Sequence, residues 1–214
     1  MSTTVRTRAQ QGQQSTRATG PLMRWRTVDL ITAVMIGVAF GVAFIGWGQV
    51  YNLTGPLFAA LPPLSGVLGG FWWLPAVVAA LVIRRPGAAL LAEIVAASVE
   101  PLLGGQWGLT TLGSGVLQGL GVELGFLIFA YGVFGVAPAM IGGALAGLLE
   151  TPYEWLLYYR EWAIGYAGVY AVTMIISGAL VGGLLAVGLV RALAATGVLA
   201  PFPPGREHAE ARTR

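Results

Sequence analysis

Between Asp29 and Arg160 the chain is almost wholly apolar, and its only charged side chains there are five glutamates (Glu93, Glu100, Glu123, Glu150 and Glu154) and the adjacent pair Arg84 and Arg85. So long a run with so little charge is compatible only with a bilayer around it. An ionisable side chain inside a bilayer costs roughly 3 kcal/mol or more, and it is kept where it faces a protein-lined cavity, a pathway or a ligand. Charged residues make up 10% of the whole chain and hydrophobic residues 56%, with a mean hydropathy of +0.75, whereas soluble domains carry about a quarter charged residues. Several carboxylates without matching cations point to a cationic or amine-rich guest.

A spanning helix uses about 20 residues, and apolar length with Gly and Pro punctuation predicts an all-α integral membrane protein, a single bundle of six transmembrane helices. The spans run over about 28–49, 56–83, 86–103, 110–132, 137–158 and 164–195, inside a membrane domain of 24–199. The second holds Pro62, Pro63, Gly69 and Gly70, so it is expected to be kinked or partly unwound, which membranes tolerate where protein or water covers the freed backbone. Residues 1–23, rich in Ser, Thr, Gln, Arg and Gly, are expected to stay disordered. Residues 200–214 read as a second short tail. Arg24, Arg26, Arg84, Arg85, Arg191 and Arg206 fall on one side of a six-span chain, with Arg160, between Glu154 and Glu161 in the last outer loop, the one exception, which predicts both termini in the cytoplasm. Splitting the second span near Phe71 would give seven spans and break that pattern.

The chemistry is narrowed by absences. All twelve basic residues are arginine, cysteine is missing, and the one histidine, His208, lies in the C-terminal tail. Without a lysine there is no GxxxxGK[ST] loop to hold nucleotide phosphates, so any ATP-driven work needs a partner. No metal cluster, catalytic residue, cofactor or nucleic-acid partner is expected. Ser114 sits in Leu112-Gly113-Ser114-Gly115 rather than GxSxG, and no intramembrane histidine could serve it as a base.

With about 1.5 Å of rise per residue, Glu100, Glu150 and Gln118 reach one level about 20 Å above the cytoplasmic face, whereas Glu93 and Glu123 lie near 10 Å. The acids then sort into an outer binding layer, a deeper pair and a solvated Glu154. Glu93 and Glu100, seven residues apart, share one stripe. Tyr166, Tyr170, Thr173 and Ser177 follow another, readable as packing or as a cavity wall. Trp47, Gln49, Tyr51, Asn52, Gln106 and Trp107 could grip a flat heterocycle, and aromatic faces attract cations. Trp72, Trp73, Trp155, Tyr158 and Trp162 read first as an interfacial belt. In span one, Ala33, Gly37 and Gly41 form one small-residue stripe and Ala39 and Ala43 another, suited to close packing within the bundle or against a second membrane protein.

The run Arg85-Pro86-Gly87-Ala88-Ala89-Leu90, then Glu93-Ile94, Glu100, Leu102-Leu103-Gly104 and Gln118-Gly119-Leu120-Gly121-Val122-Glu123, resembles the YkoE family of substrate-binding S components of energy-coupling factor (ECF) vitamin transporters. Ile176-Ser177-Gly178-Ala179-Leu180 and Thr196-Gly197-Val198-Leu199 extend the resemblance from span one to the last helix. It implies a non-catalytic, plasma-membrane subunit that captures hydroxymethylpyrimidine or thiamine outside. Such a subunit works with a transmembrane coupling protein and two ABC-type ATPases. On that reading Glu100 and Gln118 would hydrogen-bond the pyrimidine, Glu150 or Glu123 would offset positive charge, and Trp47, Trp107 or Tyr170 would stack on a ring. The alternative from another class is a proton-coupled exporter or antiporter of organic cations, whose glutamates exchange protons for substrate.

Overall fold

The computed structural model describes residues 20–213, and among them it contains helices and turns with no strand. Helix α1 (Thr27–Thr54) opens on Asp29, whose carboxylate accepts the Arg26 backbone N–H at 2.9 Å and pairs with the Arg26 guanidinium at 2.5 Å. An acid in the first turn offsets the partial positive charge of a helix N-terminus. The buried face of α1 is Ala33, Gly37, Gly41, Phe44 and Gly48. It lies against α3 (Ala88–Leu102) so closely that a Cβ on Gly37 would fall 2.6 Å from the Ala92 carbonyl oxygen, and one on Gly41 2.6 Å from Val99 Cβ. Ala33, Gly37 and Gly41 are thus used inside the bundle and are not free to dock a second protein. Ala39 and Ala43 stay exposed on the opposite side of α1.

After a 3₁₀ turn at Gly55–Phe58, the second apolar stretch is broken, as Pro62, Pro63 and the glycine pair predict. It forms a ten-residue 3₁₀ segment, Pro62–Phe71, then a turn at the two tryptophans, then α2 (Leu74–Ile83). Runs of 3₁₀ helix longer than three or four residues are uncommon. This one is pinned by hydroxyls of α6 (Ile164–Ser177). Thr173 Oγ1 donates to the Pro63 carbonyl at 2.9 Å, Ser177 Oγ donates to the Val67 carbonyl at 2.5 Å, and Ser177 Oγ accepts the Gly70 N–H at 2.9 Å. Every residue of α2 is buried, so this short rod is the centre of the core, with the other helices around it.

The remaining elements are α4 (Thr110–Leu127), α5 (Val136–Tyr158), a π-helical segment at Gly178–Leu185 that continues α6, α7 (Ala186–Ala195) and α8 (Pro203–Arg212). The π segment brings Gly178, Gly182 and Gly183 into backbone contact distance of α5 and of the Trp73 indole. Three helical runs, Thr27–Phe58, Pro62–Ile83 and Ile164–Ala195, are long and apolar enough to cross a membrane.

Of the N-terminal tail expected over 1–23, residues 1–19 lie outside the described residues, and Pro21 offers its carbonyl to Arg85 Nη1 at 2.8 Å. At the other end α8 folds back with Pro203, Pro204 and Gly205 buried, and Glu207 pairs with Arg84 at 2.5 Å.

Candidate functional site

At the end of the bundle away from these arginines, α1, the 3₁₀ segment, α3, α4, α5 and α6 enclose a cavity with about 650 Å³ of atom-free space, its open mouth included. Each helix contributes a stripe at helical spacing. Glu93, Ala97 and Glu100 come from α3, Thr111, Ser114 and Gln118 from α4, Glu154 and Tyr158 from α5, and Tyr170 and Met174 from α6. The stripes at i, i+3 or i+4, and i+7 are what put these side chains on inward faces.

Three glutamates therefore line one cavity. Glu93 is fully buried, and its Oε2 accepts the Ala76 N–H at 3.1 Å. Ala76 lies in the first turn of α2, where backbone donors have no partner within the helix. The other oxygen, Oε1, has no hydrogen-bond partner among the described residues. Glu100 is buried on the same stripe. Glu154 accepts the Tyr170 hydroxyl at 2.5 Å. Glu150 lies just behind the lining, where its Oε1 accepts the Ser114 hydroxyl at 2.5 Å and its Oε2 is buried with no hydrogen-bond partner among the described residues. Among the described residues the salt bridges are Arg26–Asp29, Arg85–Asp29 and Arg84–Glu207, all at the opposite end. No arginine lines the cavity.

The walls are aromatic. Trp107 meets Trp72 edge-on at 5.2 Å and Tyr51 at 5.7 Å, and Tyr51 meets Trp72 at 5.8 Å. Edge-to-face pairs of this kind are favoured by the ring quadrupoles. Trp73 is fully buried beneath them. Trp72, Trp73 and Tyr158 belong to the cavity, so the belt reading fails for these three. Trp72 and Trp73 sit at the break of the second stretch, and Tyr158 falls on the inward stripe of α5 that also carries Glu154.

The structure redistributes the other candidates. Glu93 and Glu123 are not a deeper pair, because Glu93 shares the cavity with Glu100 while Glu123 turns away. Glu123 Oε1 accepts the Ala89 N–H at 2.8 Å and the Leu90 N–H at 3.3 Å, and Oε2 accepts the Tyr131 hydroxyl. It satisfies the start of α3, whose N-cap, Gly87, has no side chain to do so. Trp47 does not reach the cavity either. It stacks on Phe71 at 4.4 Å and donates its indole N–H to the Leu68 carbonyl at 3.1 Å, bracing the 3₁₀ segment. Gln49 is exposed, and Asn52 and Gln106 bond to each other at 2.7 Å. Of the α6 stripe, Tyr170 lines the cavity, Thr173 and Ser177 hold the 3₁₀ segment, and Tyr166 is exposed. Glu154, expected in solvent, is half-buried in the lining. The signal that finds it is phase, since Glu150, Glu154 and Tyr158 are spaced i, i+4, i+8.

Residues 28–149 match the family described as "ABC-type cobalt transport system, permease component". The chain is 33% identical over 193 residues, 89% of its length and 95% of the relative's, to "Putative HMP/thiamine permease protein YkoE" of Bacillus subtilis (strain 168). It is also similar to a solved structure described as "Crystal structure of an S-component of ECF transporter", with a TM-score of 0.83 and 32% identity over 89% of this chain and 96% of that one. Likeness in sequence and in fold along nearly the whole length means that the chain belongs to the YkoE family of ECF transporter S components.

Proposed function

We propose that this chain is the ligand-capturing membrane subunit of an ECF importer for hydroxymethylpyrimidine or thiamine. The observation that carries the reading is the cavity itself. Carboxylates of Glu93, Glu100 and Glu154 and the amide of Gln118 converge between aromatic rings with no cation on the lining. An aminopyrimidine offers N–H donors and ring-nitrogen acceptors, and a thiazolium carries a fixed positive charge. A mostly apolar pocket with a few convergent polar groups suits both. Gln118 can donate and accept at once, which fits the pyrimidine edge. Trp107 or Trp72 supplies the stacking face, and the partnerless Oε1 of Glu93 a buried acceptor. The relative's name supports a pyrimidine-type ligand over the cobalt of the broader family. Cobalt(II) favours imidazole and thiolate over carboxylate alone, and the chain has no cysteine and a single histidine in α8.

On this reading the chain crosses the membrane six times, with both termini and the arginine-rich end in the cytoplasm. Binding is its whole chemistry, and release follows when ATP-driven partners favour an inward state of lower affinity. The exposed small residues Ala39 and Ala43 are the surface offered to the coupling protein. Titration calorimetry of the purified protein with hydroxymethylpyrimidine and with thiamine tests the assignment. Binding of at least one is expected, weakened about tenfold or more by Glu100→Gln, the loss of a charge-assisted hydrogen bond. Absence of heat with both ligands would refute it.

A further inference from the structure

At the arginine-rich end, α2, α7, α8 and the connection between α4 and α5 surround a second hollow, with about 990 Å³ of atom-free space, its open side included. Its floor is apolar, with Leu81 and Val190 buried. Its charged and titratable groups are Arg84, Arg191, His208 and a single acid, Glu207. That acid is already taken, because Glu207 accepts from both terminal nitrogens of Arg84, at 2.5 and 2.8 Å. The pair is fixed in place, since Arg84 Nε donates to the Leu81 carbonyl at 3.1 Å and the guanidinium lies over the Phe134 ring at 5.1 Å. Arg191 is the cation in excess. It is exposed, and among the described residues no acid pairs with it. We propose that this hollow binds an anionic phospholipid, with the phosphodiester against Arg191 and the start of the acyl chains on the apolar floor. The level fits such a guest, because the apolar run Ile164–Ala195, long enough to cross a membrane, ends at the hollow, whose lining includes Ala194. Basic pockets between membrane helices hold anionic headgroups, and the arginine fork grips a phosphate through two parallel hydrogen bonds. Just before the hollow the same helical run exposes Leu180 and Leu184, a surface along which the chains can continue. A soluble anion would leave the apolar floor uncovered, and a neutral lipid would leave Arg191 unmatched.

The test uses the full-length protein, purified in a neutral maltoside detergent and titrated with dioleoylphosphatidylglycerol or dioleoylphosphatidylcholine, the retained lipid being read by native mass spectrometry. Phosphatidylglycerol should be retained at a concentration about tenfold lower than phosphatidylcholine, or lower still, the weight of one charge-assisted hydrogen bond. Arg191→Gln should abolish that preference, and because Arg191 is exposed the fold does not depend on it. Arg206→Gln removes the same charge at the same end but off the lining, where Arg206 Nη1 donates to the Pro201 carbonyl at 2.9 Å, and it should keep the preference. Glycerol phosphate, the head without its chains, should not displace the lipid at millimolar concentration. Equal retention of the two lipids, or a preference that survives Arg191→Gln, would overturn the site. So would loss of the preference in Arg206→Gln as well, which would mean a diffuse attraction to that end of the bundle. Displacement by glycerol phosphate would overturn the lipid in favour of a soluble phosphate ester. None of these readouts involves hydroxymethylpyrimidine or thiamine, so the site stands or falls apart from the function proposed above.

Discussion

Glu93 and Glu123 have the same partner type and opposite roles. Each receives backbone N–H groups from the start of a neighbouring helix, Glu93 from α2 and Glu123 from α3. Both oxygens of Glu123 are engaged, one by backbone and one by Tyr131, whereas Glu93, on the cavity lining, keeps one buried oxygen without a partner among the described residues. Glu123→Ala therefore strips a helix start of its acceptor, a loss of about 1–2 kcal/mol. The variant should melt at a lower temperature by intrinsic tryptophan fluorescence while keeping its ligand affinity; an unchanged melting temperature with lost binding would make Glu123 the ligand contact instead of the helix anchor. Glu93→Gln retains an acceptor for Ala76 and replaces the carboxyl group, so its expected signature is weaker binding at near-native melting temperature. Glu100 and Gln118 were legible from depth and helical spacing alone. Glu154 was not, because nearby Arg160 and Glu161 make its stretch look like a surface loop, although its helical phase aims it inward. Glu123 misled for a related reason: five residues past Gln118, it lies about 140° around the helix from it.

The elements divide by what their small residues touch. Gly37 and Gly41 admit α3, and a Cβ at either would meet backbone or Val99 at 2.6 Å. Gly37→Leu should overpack that seam by about 1–3 kcal/mol or more and lower the melting temperature or the yield of folded protein. Ala39→Leu and Ala43→Leu lie on the exposed face of the same helix, so melting temperature and ligand affinity should hold while co-purification with the coupling protein is lost. Retained co-purification would remove that face from the interface. The all-helical character and the break after Pro62 could be read from apolar length and punctuation. Composition could not reveal that the broken segment is held by Thr173 and Ser177, because a hydroxyl on an apolar helix looks the same whether it packs, binds a guest or receives a neighbour's carbonyl. The π segment leaves no mark in composition either, since it adds no residue type that distinguishes it from the α-helix on either side.

At the scale of the whole molecule, charge is divided between the two ends. Cations collect at one end, where Arg26, Arg84 and Arg85 are matched by Asp29 and Glu207, and carboxylates collect in the cavity at the other. A subunit with no nucleotide-binding lysine motif should bind ligand but not accumulate it. In proteoliposomes, radiolabelled thiamine is expected to enter only when the coupling protein, both ATPases and ATP are present. Uptake by this chain alone under an imposed pH gradient would instead favour an exchanger. The carboxylate-lined, aromatic-walled cavity also has a practical consequence at the bench. A protonated amine buffer such as Tris presents the same positive charge and hydrogen-bond donors as the proposed guest, at millimolar concentration. Affinities measured in amine buffers should therefore come out weaker than those measured in phosphate, and purification in Tris would deliver a protein already partly occupied.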